Sequence, residues 1–239
     1  MTTIASLNRC CRFDRTIRRL CPLIESEVKK RAKVKRSEYE LRRELVGCIL
    51  GSQVRHDMAV AATENLEWAD LLSDTRWYRC RDIEFESDVL MVLEGRAVHV
   101  CHVGSYRFPR VRAKQLAQVR DALSRVPLTS RLEYRDAPAE LRKKLIEDIP
   151  GLGPKQASMF LRNIGKSYDL AILDTHVLRF IDMQGVLPMA KARISTVSGY
   201  EKAERVMTEY ATTVGYPVGY LDWAIWATMK AARELGIGI

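Results

Sequence analysis

No run of about 18 apolar residues occurs anywhere in the sequence, so an ordinary membrane-spanning helix is not expected. Cysteine is sparse and poorly spaced for metal chemistry. Six occur, at positions 10, 11, 21, 48, 80 and 101, with no C-x-x-C pair and none beyond Cys101. Zinc ribbons and cysteine-held iron–sulfur clusters therefore lack their usual ligand pattern. Reduced, mostly buried cysteines in an intracellular (cytoplasmic or nucleoid) protein are the expectation. The N-terminal stretch holds Arg9, Arg12, Arg15, Arg18 and Arg19 but no long apolar core and no small-residue cleavage site, so it does not read as a secretory leader. Internal repeats and low-complexity tracts are also missing.

What is present is ordinary globular material: 239 residues, 47% hydrophobic and 29% charged. That is enough for one large domain or two compact lobes. A formal net charge of +9, with a pI near 9.3, favours polyanionic partners, of which nucleic acid is the commonest. The segment KKRAKVKR at 29–36 is either a solvated helix face or linker, or a DNA-phosphate contact or targeting element.

Helical punctuation recurs along the chain. Ser37 and Glu40 make an S-x-x-E capping box ahead of Leu41, Leu45, Cys48 and Ile49, and Gly51 ends that run. Amphipathic stretches follow at Met58–Leu66 and through Val111, Leu116, Val119 and Leu123. Asp136 and Pro138 open a helix with Leu141, Leu145, Ile146 and Ile149 on its apolar side. Further helices are predicted near 174–184, 200–213 and 220–235. Helix after helix with short connections implies an all-α fold. Residues 88–103, rich in β-branched residues around Glu94-Gly95, suggest a short β-hairpin insertion.

The informative segment is LIEDIPGLGPKQASMFLRNIGKSYDLAILDTHVLRF, ending at Phe180. A helix ends at Ile149, Pro150-Gly151-Leu152-Gly153 turns tightly, and Pro154 starts a second helix. Glycines two apart permit unusual backbone angles and leave N–H groups at a helix N-terminus, a geometry that holds phosphate without reading sequence. This is a helix-hairpin-helix. Lys155 follows it directly, and Asp174 comes nineteen residues later. Alone, the lysine reads as a solvated first-turn residue and the aspartate as an N-cap. Together with the hairpin they suit one reaction. An amine attacks the sugar C1′ and expels the base, and the resulting Schiff base acidifies the C2′ proton, so elimination nicks the strand. A carboxylate nearby accepts a proton or stabilises positive charge on the sugar.

PGLGPK…ILDTH resembles the core of the endonuclease III and 8-oxoguanine glycosylase superfamily, and the resemblance runs over roughly residues 37–230. LVGCILGSQVRHDMAVAATENL (45–66) resembles its early helix-turn-helix, while YRFPRVRAKQL, ASMFLRNIG and YLDWAIW resemble the archaeal-type 8-oxoguanine glycosylases. The resemblance implies Lys155 as nucleophile and Asp174 as catalytic carboxylate. It also implies Gln53 filling the gap left by an extruded base, and Phe108 and Trp226 stacking on that base, as flat π-faces can. Gly151, Gly153 and His176 are expected to contact DNA. Asp222 is either a cap or a base-pocket carboxylate.

Two features depart from the archaeal-type pattern. Those enzymes end in a lysine, whereas this sequence runs to Gly238-Ile239, and the 88–103 segment is longer than theirs. The expected architecture is a barrel-like lobe at 34–167 and a second lobe of 1–33 plus 168–239, with the active site in the cleft between. The expected activity is that of a bifunctional glycosylase and AP lyase, a monomer acting on duplex DNA with a damaged base, 8-oxoguanine first. No cofactor is required and no iron–sulfur cluster is expected; the hairpin leaves room for a cation bridging to phosphate. The alternatives are a glycosylase for another modified base, foreign DNA included, and a non-catalytic helix-hairpin-helix module.

Overall fold

The computed structural model describes residues 4–31, 35–79, 82–95, 105–133, 136–185, 187 and 194–237. The elements among them are α-helices: α1 (Ile4–Arg31), α2 (Glu38–Leu50), α3 (His56–Trp68), α4 (Asp74–Arg79), α5 (Asp82–Leu93), α6 (Pro109–Arg125), α7 (Leu128–Leu132), α8 (Pro138–Asp148), α9 (Pro154–Asn163), α10 (Thr175–Met183), α11 (Val197–Val214) and α12 (Val218–Glu234). The chain divides into two compact units. One is contiguous, Lys35–Ile164; the other joins Met1–Val34 to Gly165–Ile239.

In the contiguous unit α2 is the central helix, burying Leu41, Leu45, Val46, Ile49 and Leu50 and packing on α3, α6, α7 and α9. Its capping box closes as the sequence requires. Ser37 Oγ accepts from the Glu40 N–H, and Glu40 accepts from the Ser37 N–H at 2.7 Å. Arg42, fully buried on α2, donates to the Leu72 carbonyl and to Asp74 Oδ1 at 2.6 Å, so the buried cation is paired as it must be.

The hairpin expected at 88–103 is not there in the part described. Residues 88–93 are the second half of α5, where Phe85, Val89, Val92 and Leu93 recur at helical spacing and are buried. That period outweighs the β-branched composition. Glu94-Gly95 ends the helix, with Gly95 at φ 78° and its N–H on the Val92 carbonyl. Residues 96–103 lie outside the described residues. A second correction concerns α6. Val111 is 54% exposed, and the buried row is Arg112, Ala113, Leu116, Val119, Arg120 and Leu123, so the apolar side includes two arginines.

In the discontinuous unit α12 is the axis, packed against α1, α10 and α11. Phe13, Ile17 and Cys21 from α1 join Val177, Ile181, Met207, Leu221, Ile225 and Met229 in one core.

Candidate active site

In the contiguous unit the hairpin lies between α8 and α9. Leu152 is buried and its N–H turns back to the Ile149 carbonyl at 3.3 Å, while Gly153 caps α9 and Pro154 takes the first helical position. Gly151 sits at φ 80°, and a Cβ there would meet Gln115 Cδ at 2.8 Å, so no other residue fits the position without strain and displacement. Arg142 of α8 donates to Ser158 Oγ of α9 at 3.1 Å and ties the two helices beneath the turn. Lys155, in the first turn of α9, is half-buried, and among the described residues no carboxylate pairs with it. Burial pushes the neighbouring Cys48 thiol well above its usual range, with Glu44 adding to the effect and Arg162 and Lys155 opposing it. The Cys48 thiol is therefore neutral.

Gln53 occupies the turn between α2 and α3, exposed, with φ 60°. The left-handed conformation costs a non-glycine residue about 1 kcal/mol. Two buried groups hold the approach to it: Tyr106 donates to the Leu50 carbonyl at 2.7 Å, and Arg112 donates to the Ser52 carbonyl at 3.0 Å. Phe108 is the N-cap residue of α6, half-buried, with the Arg107 guanidinium 4.9 Å from its ring centroid.

In the discontinuous unit Asp174 is the N-cap of α10, its Oδ1 accepting from the His176 and Val177 N–H groups at 2.9 Å each. The segment before it, Leu170–Leu173, is buried and non-helical, and side chains satisfy its backbone. Ala171 N–H donates to Glu204 Oε1 at 2.8 Å, Ile172 N–H to Asp222 Oδ2 at 2.6 Å, and Leu173 N–H to the Tyr200 hydroxyl at 3.0 Å, which itself donates to the Ala171 carbonyl at 2.7 Å. Gly219, in the first turn of α12, donates to the Tyr168 carbonyl at 2.8 Å, and a Cβ would collide with that oxygen at the same distance. Asp222 is 1% exposed. It is neither a helix cap nor open to a ligand; it clamps the strand-like lead-in to Asp174. The His176 ring turns a buried Nδ1 inward, without a hydrogen-bond partner among the described residues. Trp226, half-buried on α12, has Lys230 Nζ 5.0 Å from its ring centroid.

The structure thus gathers Gln53, Phe108, Gly151, Gly153 and Lys155 in one unit and Asp174, His176, Asp222 and Trp226 in the other. Sequence reasoning missed Arg112, Gln115, Tyr200 and Glu204. For Arg112 a signal existed: it stands four residues before Leu116, on the apolar row. Among the described residues no group of three or more His, Cys, Asp or Glu side chains could hold a metal ion, and no helix is long and apolar enough to cross a membrane.

The 8-oxoguanine DNA glycosylase/AP lyase of Metallosphaera sedula is 39% identical over 121 residues, 51% of this chain and 57% of that protein. The enzyme of the same name from Thermoplasma volcanium is 34% identical over 121 residues, 51% of this chain and 55% of its own. The matched stretch thus spans little more than half of each relative. Among solved structures, the 8-oxoguanine DNA glycosylase of Thermotoga maritima shares the fold with a TM-score of 0.67 at 23% identity, covering 92% of this chain and 95% of that one. Methanocaldococcus jannaschii 8-oxoguanine glycosylase/lyase, solved with a 15mer DNA containing 8-oxoguanine, gives 0.63 at 21% identity, covering 89% and 91%. A family model described as 8-oxoguanine DNA glycosylase matches residues 24–216, most of the sequence and nearly every element built above, and the chain belongs to that family.

Proposed function

We propose that this chain is a DNA-repair glycosylase with AP-lyase activity that removes 8-oxoguanine from duplex DNA, acting as a monomer inside the cell. The observation that carries the reading is Lys155: a half-buried amine uncommitted to any carboxylate among the described residues, in the turn that follows the hairpin. Its nitrogen attacks C1′ of the damaged nucleotide and the C1′–N bond to the base breaks. Asp174 stabilises the positive charge that develops on the sugar. Loss of the C2′ proton from the Schiff base then breaks the 3′ C–O bond to phosphate, and hydrolysis frees the lysine. The hairpin around Gly151 and Gly153 grips phosphate, directly or through a cation, and His176 adds a contact to DNA.

Gln53 fills the vacated stack, while Phe108 and Trp226 take the extruded base on their rings. Asp222 acts from beneath, through Ile172, rather than on the base. The test is borohydride trapping on a duplex carrying 8-oxoguanine. Wild type should become covalently attached to DNA, and Lys155→Gln should lose both attachment and base release while still binding duplex. Undiminished trapping in the variant sinks the assignment. Trapping on an abasic site without release from 8-oxoguanine opposite any base would move the substrate to another modified base. No trapping at all would leave a DNA-binding module.

A further inference from the structure

Arg112, buried, and Gln115, half-buried, stand one turn apart on α6 and reach in two directions. Arg112, 6% exposed, sends one guanidinium nitrogen to Gln115 Oε1 at 2.5 Å and the other to the Ser52 carbonyl at 3.0 Å. The Gln115 amide lies against Gly151, closely enough that a Cβ there would meet all three of its terminal heavy atoms within 3.1 Å. The Ser52 carbonyl belongs to the peptide that ends at the Gln53 nitrogen, so the guanidinium fixes the plane from which Gln53 turns to φ 60°. A planar fork can donate in both directions at fixed spacing; a lysine ammonium at the same place cannot. Arg112 Nε is buried with no partner among the described residues, a cost that the two outward bonds offset.

Resting on the reading that Gln53 fills a vacated stack and the hairpin holds phosphate, we propose that Arg112 and Gln115 are positioning residues. They form a strut that fixes the distance between the Gln53 turn and the hairpin. Phosphate grip and base extrusion then act as one event, because the wedge cannot recede while the hairpin is seated. The strut matters where a stacked duplex must be opened. It does not matter for elimination at an abasic site in a single strand, since Lys155 and the hairpin share one turn and keep their own spacing without it.

The experiment uses the full chain and two substrates: a duplex with 8-oxoguanine and a single strand with an abasic site. Gln115→Ala should slow single-turnover excision from the duplex by about tenfold or more, the scale of a lost hydrogen bond to a charged group. Cleavage of the abasic strand should stay within about twofold, because extrusion costs little there. Arg112→Lys, which keeps the charge but lacks the planar fork, should lose duplex excision as Gln115→Ala does while sparing the abasic strand. Combining Gln115→Ala with Gln53→Ala should add little to the loss from Gln53→Ala alone, since coupled residues are non-additive. Equal losses on both substrates, no loss on the duplex, wild-type duplex excision by Arg112→Lys, or full additivity would each overturn the strut. Wild-type trapping on the abasic strand is measured first; its absence defeats the enzymatic reading rather than the strut.

Discussion

Asp222 Oδ2 accepts the Ile172 N–H at 2.6 Å across fifty residues of sequence, two positions ahead of Asp174. Asp222→Ala leaves that N–H buried without its acceptor. A lost charge-assisted bond of this kind costs about 1.5–3 kcal/mol, which is a fall of about 3–12 °C in melting temperature for a chain of this size. Excision should fall with it, because the lead-in to Asp174 loosens. Calorimetry and single-turnover assays read both effects, and an unchanged melting temperature would make the carboxylate a spectator.

At Asp174 cap and charge can be separated. Asparagine caps helices as well as aspartate does, so Asp174→Asn should keep the bonds to His176 and Val177 and melt within about 2 °C of wild type. Excision should nonetheless slow by about a hundredfold or more, as when other groups that stabilise transition-state charge are removed. A rate near wild type would reduce Asp174 to its capping role.

Capping and hairpin signals were legible in the sequence because they are local. Ser37 and Glu40 are three residues apart, Asp174 bonds the N–H groups two and three residues on, and the glycine turn is contiguous. The supports of the site were not legible. Arg112 meets Ser52 over sixty residues, and Tyr200 and Glu204 meet Leu173 and Ala171 over 27 and 33. No local pattern encodes such a bond. The α5 segment misled for a related reason: β-branched content spoke for a strand, while the burial that decides the period came from packing on α6 and α3.

Trp226→Ala should lose about ten- to a hundredfold in excision of 8-oxoguanine while retaining cleavage at an abasic site. Stacking on a base is worth about 1–3 kcal/mol, and an abasic sugar has no base to stack. Parallel losses on the two substrates would return Trp226 to ordinary packing.

Gln53 carries a conformational cost that glycine would relieve. Gln53→Gly should melt about 2–4 °C above Gln53→Ala, since alanine at φ 60° bears about 1 kcal/mol that glycine does not. Both variants should show the same loss in excision from duplex, because both lack the side chain. Equal melting temperatures would contradict the left-handed turn.

Burial raises the Cys21 thiol to about 11 and leaves it wholly inaccessible. In the unfolded chain the thiol ionises near about 8.5. A folded value above the unfolded one means the protonated thiol contributes its full stability below about pH 8.5 and loses it as pH climbs toward 11. Cys21→Ala should therefore flatten the decline in melting temperature across that window relative to wild type. Native protein at neutral pH should resist alkylation at Cys21. Identical pH slopes for the two proteins, or fast alkylation, would show the thiol to be accessible.

The division of the chain also has a consequence for its synthesis. The contiguous unit begins and ends at neighbouring points, with Arg36 donating to the Asn163 carbonyl at 2.9 Å. It can therefore close on itself as soon as its last helix leaves the ribosome. The helix α1 precedes the whole contiguous unit, yet Phe13, Ile17 and Cys21 share their core with α10, α11 and α12, which follow that unit. At about 5–20 residues per second, α1 waits roughly ten seconds or more with its apolar side uncovered. Nascent chains stalled before α12 should therefore expose the core faces of α1, α10 and α11 together, and depend on chaperones through all three.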